Sequence, residues 1–215
     1  MEFSIKIGNP EKQRNDCLIV GVFENKKLSA SAELIDVASG NAISAVIKAG
    51  DMSGDLAATL LMHQLPNVMA KRLLLVGLGK QSEFGVKQYF KAIRAAVKAL
   101  PKVAKEVGFY LTELPVTAMM LQEKTAQIAE IILDATYQIN ALKSKKAEAI
   151  ALKKVAIFVE KAQEAEAKTA LAQGLAIAEG VRMAKDLGLT DAQVKENLMF
   201  AMENMTDLSA EEMDR

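Results

Sequence analysis

Four apolar runs constrain this chain more than any other feature: "CLIVGVF" (residues 17–23), "RLLLVGLG" (72–79), "VGFYLTELP" (107–115) and "KVAIFVE" (154–160). The first two are continuously apolar rather than alternating, the pattern of a strand covered on both faces. The segments between the runs have helical spacing. Residues 28–40 open near a serine that can cap a helix and end on glycine, and residues 41–50 repeat that pattern. Residues 86–100 set Val86, Tyr89, Phe90, Ile93, Val97 and Leu100 on one face before Pro101 stops the helix. Residues 118–142 do the same with Leu121, Ile128, Ile131, Ile132 and Ala135. Two more strands complete the pattern. Phe3, Ile5 and Ile7 alternate with polar residues, and "ATLLMHQLP" (58–66) is stopped by Pro66. Strands alternating with helices through residue 160 predict an α/β layered domain around a largely parallel or mixed central sheet.

After the last strand the pattern changes. Residues 164–187 read as one long helix with Ala170, Gly174 and Ala178 spaced by four, a row of small residues suited to close approach of another element. No strand follows it, so it reads as a connector. Residues 190–208 then predict a second amphipathic helix with a capping box at Thr190 and Gln193. Ser209 and Glu212 announce a further helix start three residues before the chain stops, which suggests a truncated or rearranged product.

The 215 residues suit one domain plus an appendage, or two small domains. Trp is absent, so the core must be built from Leu, Ile, Val, Ala and Met. The single cysteine, Cys17, rules out an intramolecular disulfide and reads as a buried small hydrophobe inside its strand. The start, "MEFSIKIGNP", lacks the basic and apolar regions of a signal peptide, and no apolar run approaches the ~18 residues of a membrane span. A cytoplasmic protein without membrane contact is expected.

The chain carries 27 basic and 27 acidic residues. Its last 27 positions hold 2 and 7 of them, leaving 25 and 20 in residues 1–188. The acidic tail 189–215 therefore differs in kind from the rest. Within the basic part, Lys87, Lys91, Arg94 and Lys98 follow steps of four, three and four, which places them on one helix face, and Lys102 and Lys105 extend the run. Lys143, Lys145, Lys146, Lys153 and Lys154 form a second cluster. Such faces can track nucleic-acid phosphates or remain solvated surface.

"KRLLLVGLGK" (71–80) ends like a phosphate-binding strand, yet both phosphate fingerprints fail. Ser82 stands where a dinucleotide motif needs its third glycine. Leu74 and Gln81 break a Walker loop. A tight turn closing a buried strand is the better reading. His63 is the only histidine, no nucleophile elbow is present, and no metal-ligand spacing of the His-Glu-x-x-His or paired-Cys type occurs. No catalytic, cofactor-binding or metal residue is assigned.

Several separated stretches together carry a family likeness. "MEFSIKIGNPEKQRNDCLIVGVFE", "LLMHQLPNVMAKRLLLVGLGK", "FYLTEL" and "GLAIAEGVRMAKDLG" resemble, in order over residues 1–188, the amino-terminal domain of bacterial leucyl aminopeptidases. The resemblance implies a three-layer α/β/α, macro-like domain with a mixed sheet at 1–160 and a connector helix at 161–188. Complete family members continue into a catalytic domain, assemble as hexamers and release amino-terminal residues from peptides with two divalent metals, zinc or manganese. The family's metal-binding strings, of the kind "GKG…FDSGG" and "NTDAEGR", do not occur, and the tail 189–215 does not resemble the family. The expected function is thus the non-catalytic assembly or regulatory portion of a leucyl aminopeptidase, inactive alone and without cofactor. Its expected partner is itself or the missing catalytic domain. Because some bacterial members double as DNA-binding accessory proteins, the resemblance implies an alternative role in which Lys87, Lys91, Arg94 and Lys98 hold DNA. A third reading, a nucleotide or ADP-ribose binder, comes from the macro-like fold alone.

Overall fold

The computed structural model describes residues 1–141 and 151–186, together with Gln193. The expected helix at 190–208, the capping box at Ser209 and Glu212, and Lys143, Lys145 and Lys146 lie outside the described residues.

Six strands form one sheet: β1 (Glu2–Lys6), β2 (Cys17–Val22), β3 (Thr59–His63), β4 (Arg72–Gly77), β5 (Glu106–Phe109) and β6 (Lys154–Phe158), in the spatial order β1-β6-β5-β2-β4-β3. All neighbours are parallel except β3, which runs antiparallel to β4. The helices are α1 (Ala30–Ala38), α2 (Ala42–Ala49), α3 (Val86–Ala99), α4 (Leu121–Ala141) and α5 (Glu164–Asp186). The sheet is mixed, as the sequence pattern predicts.

Each central strand feeds two cores, because successive side chains point to opposite faces. In β2, Cys17 and Ile19 join one apolar cluster while Leu18, Val20 and Val22 join the other. In β4, Leu74 and Val76 face the first and Leu73 and Leu75 the second. The first cluster takes Tyr89, Ile93 and Val97 from α3, Ile128 and Ile132 from α4, and Ala167 and Leu171 from α5. The second takes Ala32 and Ile35 from α1 and Ile43 and Ile47 from α2. The result is three layers, α/β/α. Each fully buried Leu or Ile in it contributes about 1.5–3 kcal/mol relative to leaving that side chain in water.

Local signals set the joints. Ser29 caps α1, its hydroxyl accepting from the Ala32 N–H at 3.4 Å. Ala170 is buried, and a side chain at Gly174 would meet Ala126 Cα at 2.7 Å, so the small residues of α5 do allow backbone-close packing, against α4. One expected element is shorter than its apolar run. The strand anticipated over 107–115 stops at Phe109 and gives way to a 3₁₀ turn, Leu111–Glu113. Its polar side chains take tertiary partners instead of continuing a ladder.

Two compact units divide the chain, Met1–Leu175 and Ala176–Arg215. The sheet and α1–α4 belong to the first. In the described part of the second, Arg182 pairs with Glu179, and Met183 is exposed. No described helix is long and apolar enough to cross a membrane.

Candidate functional site

The parallel strands β1, β6, β5 and β2 all end on the same side of the molecule. After β2 the chain enters α1 on one face of the sheet, and after β5 it enters α4 on the other. Neighbouring strands that send their helices to opposite faces leave a crevice between them, the usual ligand position in open α/β sheets. In this chain the crevice is a cleft of about 430 Å³ lined from Ile7–Pro10, the start of α1, Tyr110, Thr112, Glu113, Lys124 and the end of β6.

One short segment, 110–114, ties the cleft together. The Tyr110 hydroxyl donates to the Gly8 carbonyl at 2.9 Å, joining the loop after β1. Its ring stacks on Phe158 at 4.3 Å. The Thr112 hydroxyl donates to the Phe158 carbonyl at the end of β6. The Glu113 carboxylate accepts from the Ser31 N–H at 3.0 and 3.2 Å and from the Ser31 hydroxyl at 2.6 Å, joining the first turn of α1. From α4, the Lys124 ammonium donates to the carbonyls of Thr112 at 2.7 Å and Leu114 at 3.0 Å. Burial pulls the Lys124 pKa below the ordinary lysine value. It pushes the Tyr110 hydroxyl up, and the nearby Glu11 and Glu113 charges add to that. The polar groups of the segment are thus already partnered within the chain. No histidine lies in the cleft to serve as a base for Ser31.

The Gly-Leu-Gly turn at 77–79 answers the phosphate question. The Gly77 N–H donates to Ala58 O at 2.7 Å, Leu78 N–H to Val22 O at 2.9 Å, and Gly79 N–H to Gly54 O at 2.8 Å. A phosphate cradle needs such amides free. A Cβ at Gly77 would sit 1.9 Å from Asp55 O, so glycine is required by the loop pressed against the turn. Gly79 has φ +75°, the left-handed region that favours glycine.

The remaining sequence candidates are scattered. His63 is exposed at the end of β3. Cys17 is fully buried, and loss of hydration pushes its thiol up to about 12. Lys87, Lys91, Arg94 and Lys98 are all exposed along α3, and none forms an ion pair among the described residues. Lys154, from the second basic cluster, pairs with Glu106 at 3.3 Å. Among the described residues no three His, Cys, Asp or Glu side chains are gathered as a metal would require.

Residues 19–146 match the family model described as the cytosol aminopeptidase family, N-terminal domain. The chain belongs to the cytosol aminopeptidase family. A probable cytosol aminopeptidase of Dechloromonas aromatica is 51% identical over 191 residues, covering 87% of this chain and 38% of the relative. A probable cytosol aminopeptidase of Chromobacterium violaceum is 44% identical over the same length. The chain therefore spans well under half the length of these family members. Among solved structures, a tomato leucine aminopeptidase mutant superposes with TM-score 0.65 at 18% identity, over 87% of this chain and 38% of that one. A Trypanosoma brucei macrodomain in complex with ADP gives TM-score 0.53 at 12% identity, over 79% and 69%. The fold is that of a cytosol aminopeptidase N-terminal domain and is macro-like.

The cleft residues Ser31, Tyr110, Thr112, Glu113 and Lys124 carry no motif and were not singled out by sequence. The available signal is the Thr-Glu pair inside "FYLTEL", two polar residues interrupting an apolar run.

Proposed function

We propose that this chain acts as the non-catalytic amino-terminal part of a leucyl aminopeptidase, serving assembly and access control for a catalytic portion. The observation that carries the reading is 51% identity across 191 residues to one part of a much longer relative. In this reading the two divalent metals of complete family members are held by the catalytic portion, and no chemical step is assigned to this chain. Its setting is cytoplasmic, and its partner is the catalytic portion or further copies of itself. The test is hydrolysis of a leucyl chromogenic substrate with Mn²⁺ or Zn²⁺ added. The chain alone should release no product, and turnover would overturn the reading.

A second reading is favoured by one observation, the row of exposed cations Lys87, Lys91, Arg94 and Lys98 on α3, none of which forms an ion pair among the described residues. They would contact the backbone of duplex DNA as an accessory module. Binding should fall steeply between about 50 and 200 mM salt and weaken in Lys91→Ala/Arg94→Ala. No mobility shift at low salt would discard it.

A further inference from the structure

The outer face of α3 carries charge of one sign. Lys87, Lys91, Arg94 and Lys98 are exposed there without an ion pair among the described residues. At about 3.6 residues per turn these positions fall within an arc of about 60°, opposite Tyr89, Ile93 and Val97, which α3 buries in the core. The row is about 16 Å long. Lys102 and Lys105, also exposed, extend it, and no acidic residue occurs between Phe84 and Lys105. Like charges three and four positions apart on a helix repel one another, and a partner of opposite charge relieves that repulsion. The chain itself carries such a complement. In residues 189–215, Glu203, Asp207, Glu211 and Asp214 follow steps of four, four and three, the same step sizes as the basic row. The basic surplus of residues 1–188, 25 against 20, equals the acidic surplus of residues 189–215, 7 against 2. Copies of such a chain have no net charge to hold them apart and opposite local charges to draw them together.

We propose that the basic face of α3 is a docking surface for the acidic segment 189–215 of a second copy of this chain. The proposal rests on the reading in which further copies of the chain are partners, and it gives that association a surface. Each copy offers one basic face and one acidic segment, so the contact is heterologous and joins copies head to tail. Exposed ion pairs contribute little singly, so the docking depends on several pairs acting together and is screened by salt.

The test is sedimentation velocity of the full chain from about 10 µM to about 1 mM protein, at about 50 and 500 mM NaCl. At low salt the mean mass should rise with concentration above that of a single chain, and at high salt it should return to it. Lys87→Gln/Lys91→Gln/Arg94→Gln/Lys98→Gln changes only exposed side chains and should weaken the association by about tenfold or more. Glu203→Gln/Asp207→Asn/Glu211→Gln should weaken it as well. Mixing the two variants is the decisive arm. Each retains the half that the other lacks, so together they should form a one-to-one dimer that neither forms alone. A mixture that stays monomeric would overturn the proposal. Association that persists in the α3 variant would overturn this surface and leave self-association standing. A wild-type chain that stays monomeric at every concentration would overturn self-association as well.

Discussion

Gly77→Ala is the sharpest test of the packing described above. The added Cβ would lie 1.9 Å from Asp55 O and 3.0 Å from Gly54 C, so the loop over 54–57 has to retreat by about 1 Å. That movement breaks the bonds that fasten the loop: Gly77 N–H to Ala58 O at 2.7 Å, Ala57 N–H to Gly77 O at 2.9 Å, and Gly79 N–H to Gly54 O at 2.8 Å. Three backbone hydrogen bonds at about 1 kcal/mol each give about 3 kcal/mol. Residual overpacking adds about 1–3 kcal/mol. With roughly 2–4 °C per kcal/mol for a chain of this size, the midpoint should fall by about 8–24 °C. Thermal unfolding by circular dichroism reads this directly. Gly180→Ala is the control, because its Cβ meets nothing within 4 Å and it sits inside α5. It should stabilise that helix by up to about 1 kcal/mol. A Gly77→Ala midpoint within a few degrees of wild type would refute the account of the turn as a packed joint.

Cys17 should resist thiol reagents at pH 8 in the folded protein, because burial holds its pKa near 12, and label only as denaturant unfolds the chain. Rapid labelling of native protein would contradict its place in the core. Asp16 accepts from the Lys71 ammonium at 2.7 Å and from the N–H groups of Lys105 at 2.8 Å and Glu106 at 3.2 Å. Burial alone would raise its pKa, but these donors together lower it below 3.8. A depressed carboxylate stabilises the fold at pH values above its unfolded pKa and loses that contribution as pH falls through its folded pKa. Asp16→Asn should therefore cost about 2 kcal/mol near neutrality, with the difference shrinking below about pH 4 in urea titrations. An equal difference at every pH would show that charge plays no part.

The layered fold is visible in the sequence because burial on both faces leaves unbroken apolar runs, as in β2 and β4. The close approach of α5 was likewise visible in Ala170 and Gly174, although their partner, Ala126, was not. The early end of β5 was hidden because Thr112 and Glu113 leave the strand to reach Phe158 and Ser31, far away in the chain. The cleft was hidden for the same reason. Tyr110 and Gly8 are 102 residues apart, and no local pattern encodes a pairing across that distance. The domain boundaries expected at 160 and 188 rest on resemblance.

The order of strands also governs how the chain can fold. β1 stands at the sheet edge, and its one neighbour is β6, with Glu2 opposite Lys154 and Lys6 opposite Phe158. β1 therefore has no place to dock in this sheet until β6, which follows it by about 150 residues, exists. Loop closure over such separations is slow relative to local helix formation. A growing chain can assemble β2, β3, β4 and their helices first, while residues 2–6 wait. Ribosome-bound chains in which residues 154–158 have not yet left the exit tunnel should leave residues 2–6 open to proteolysis, and chains long enough to expose 154–158 should protect them.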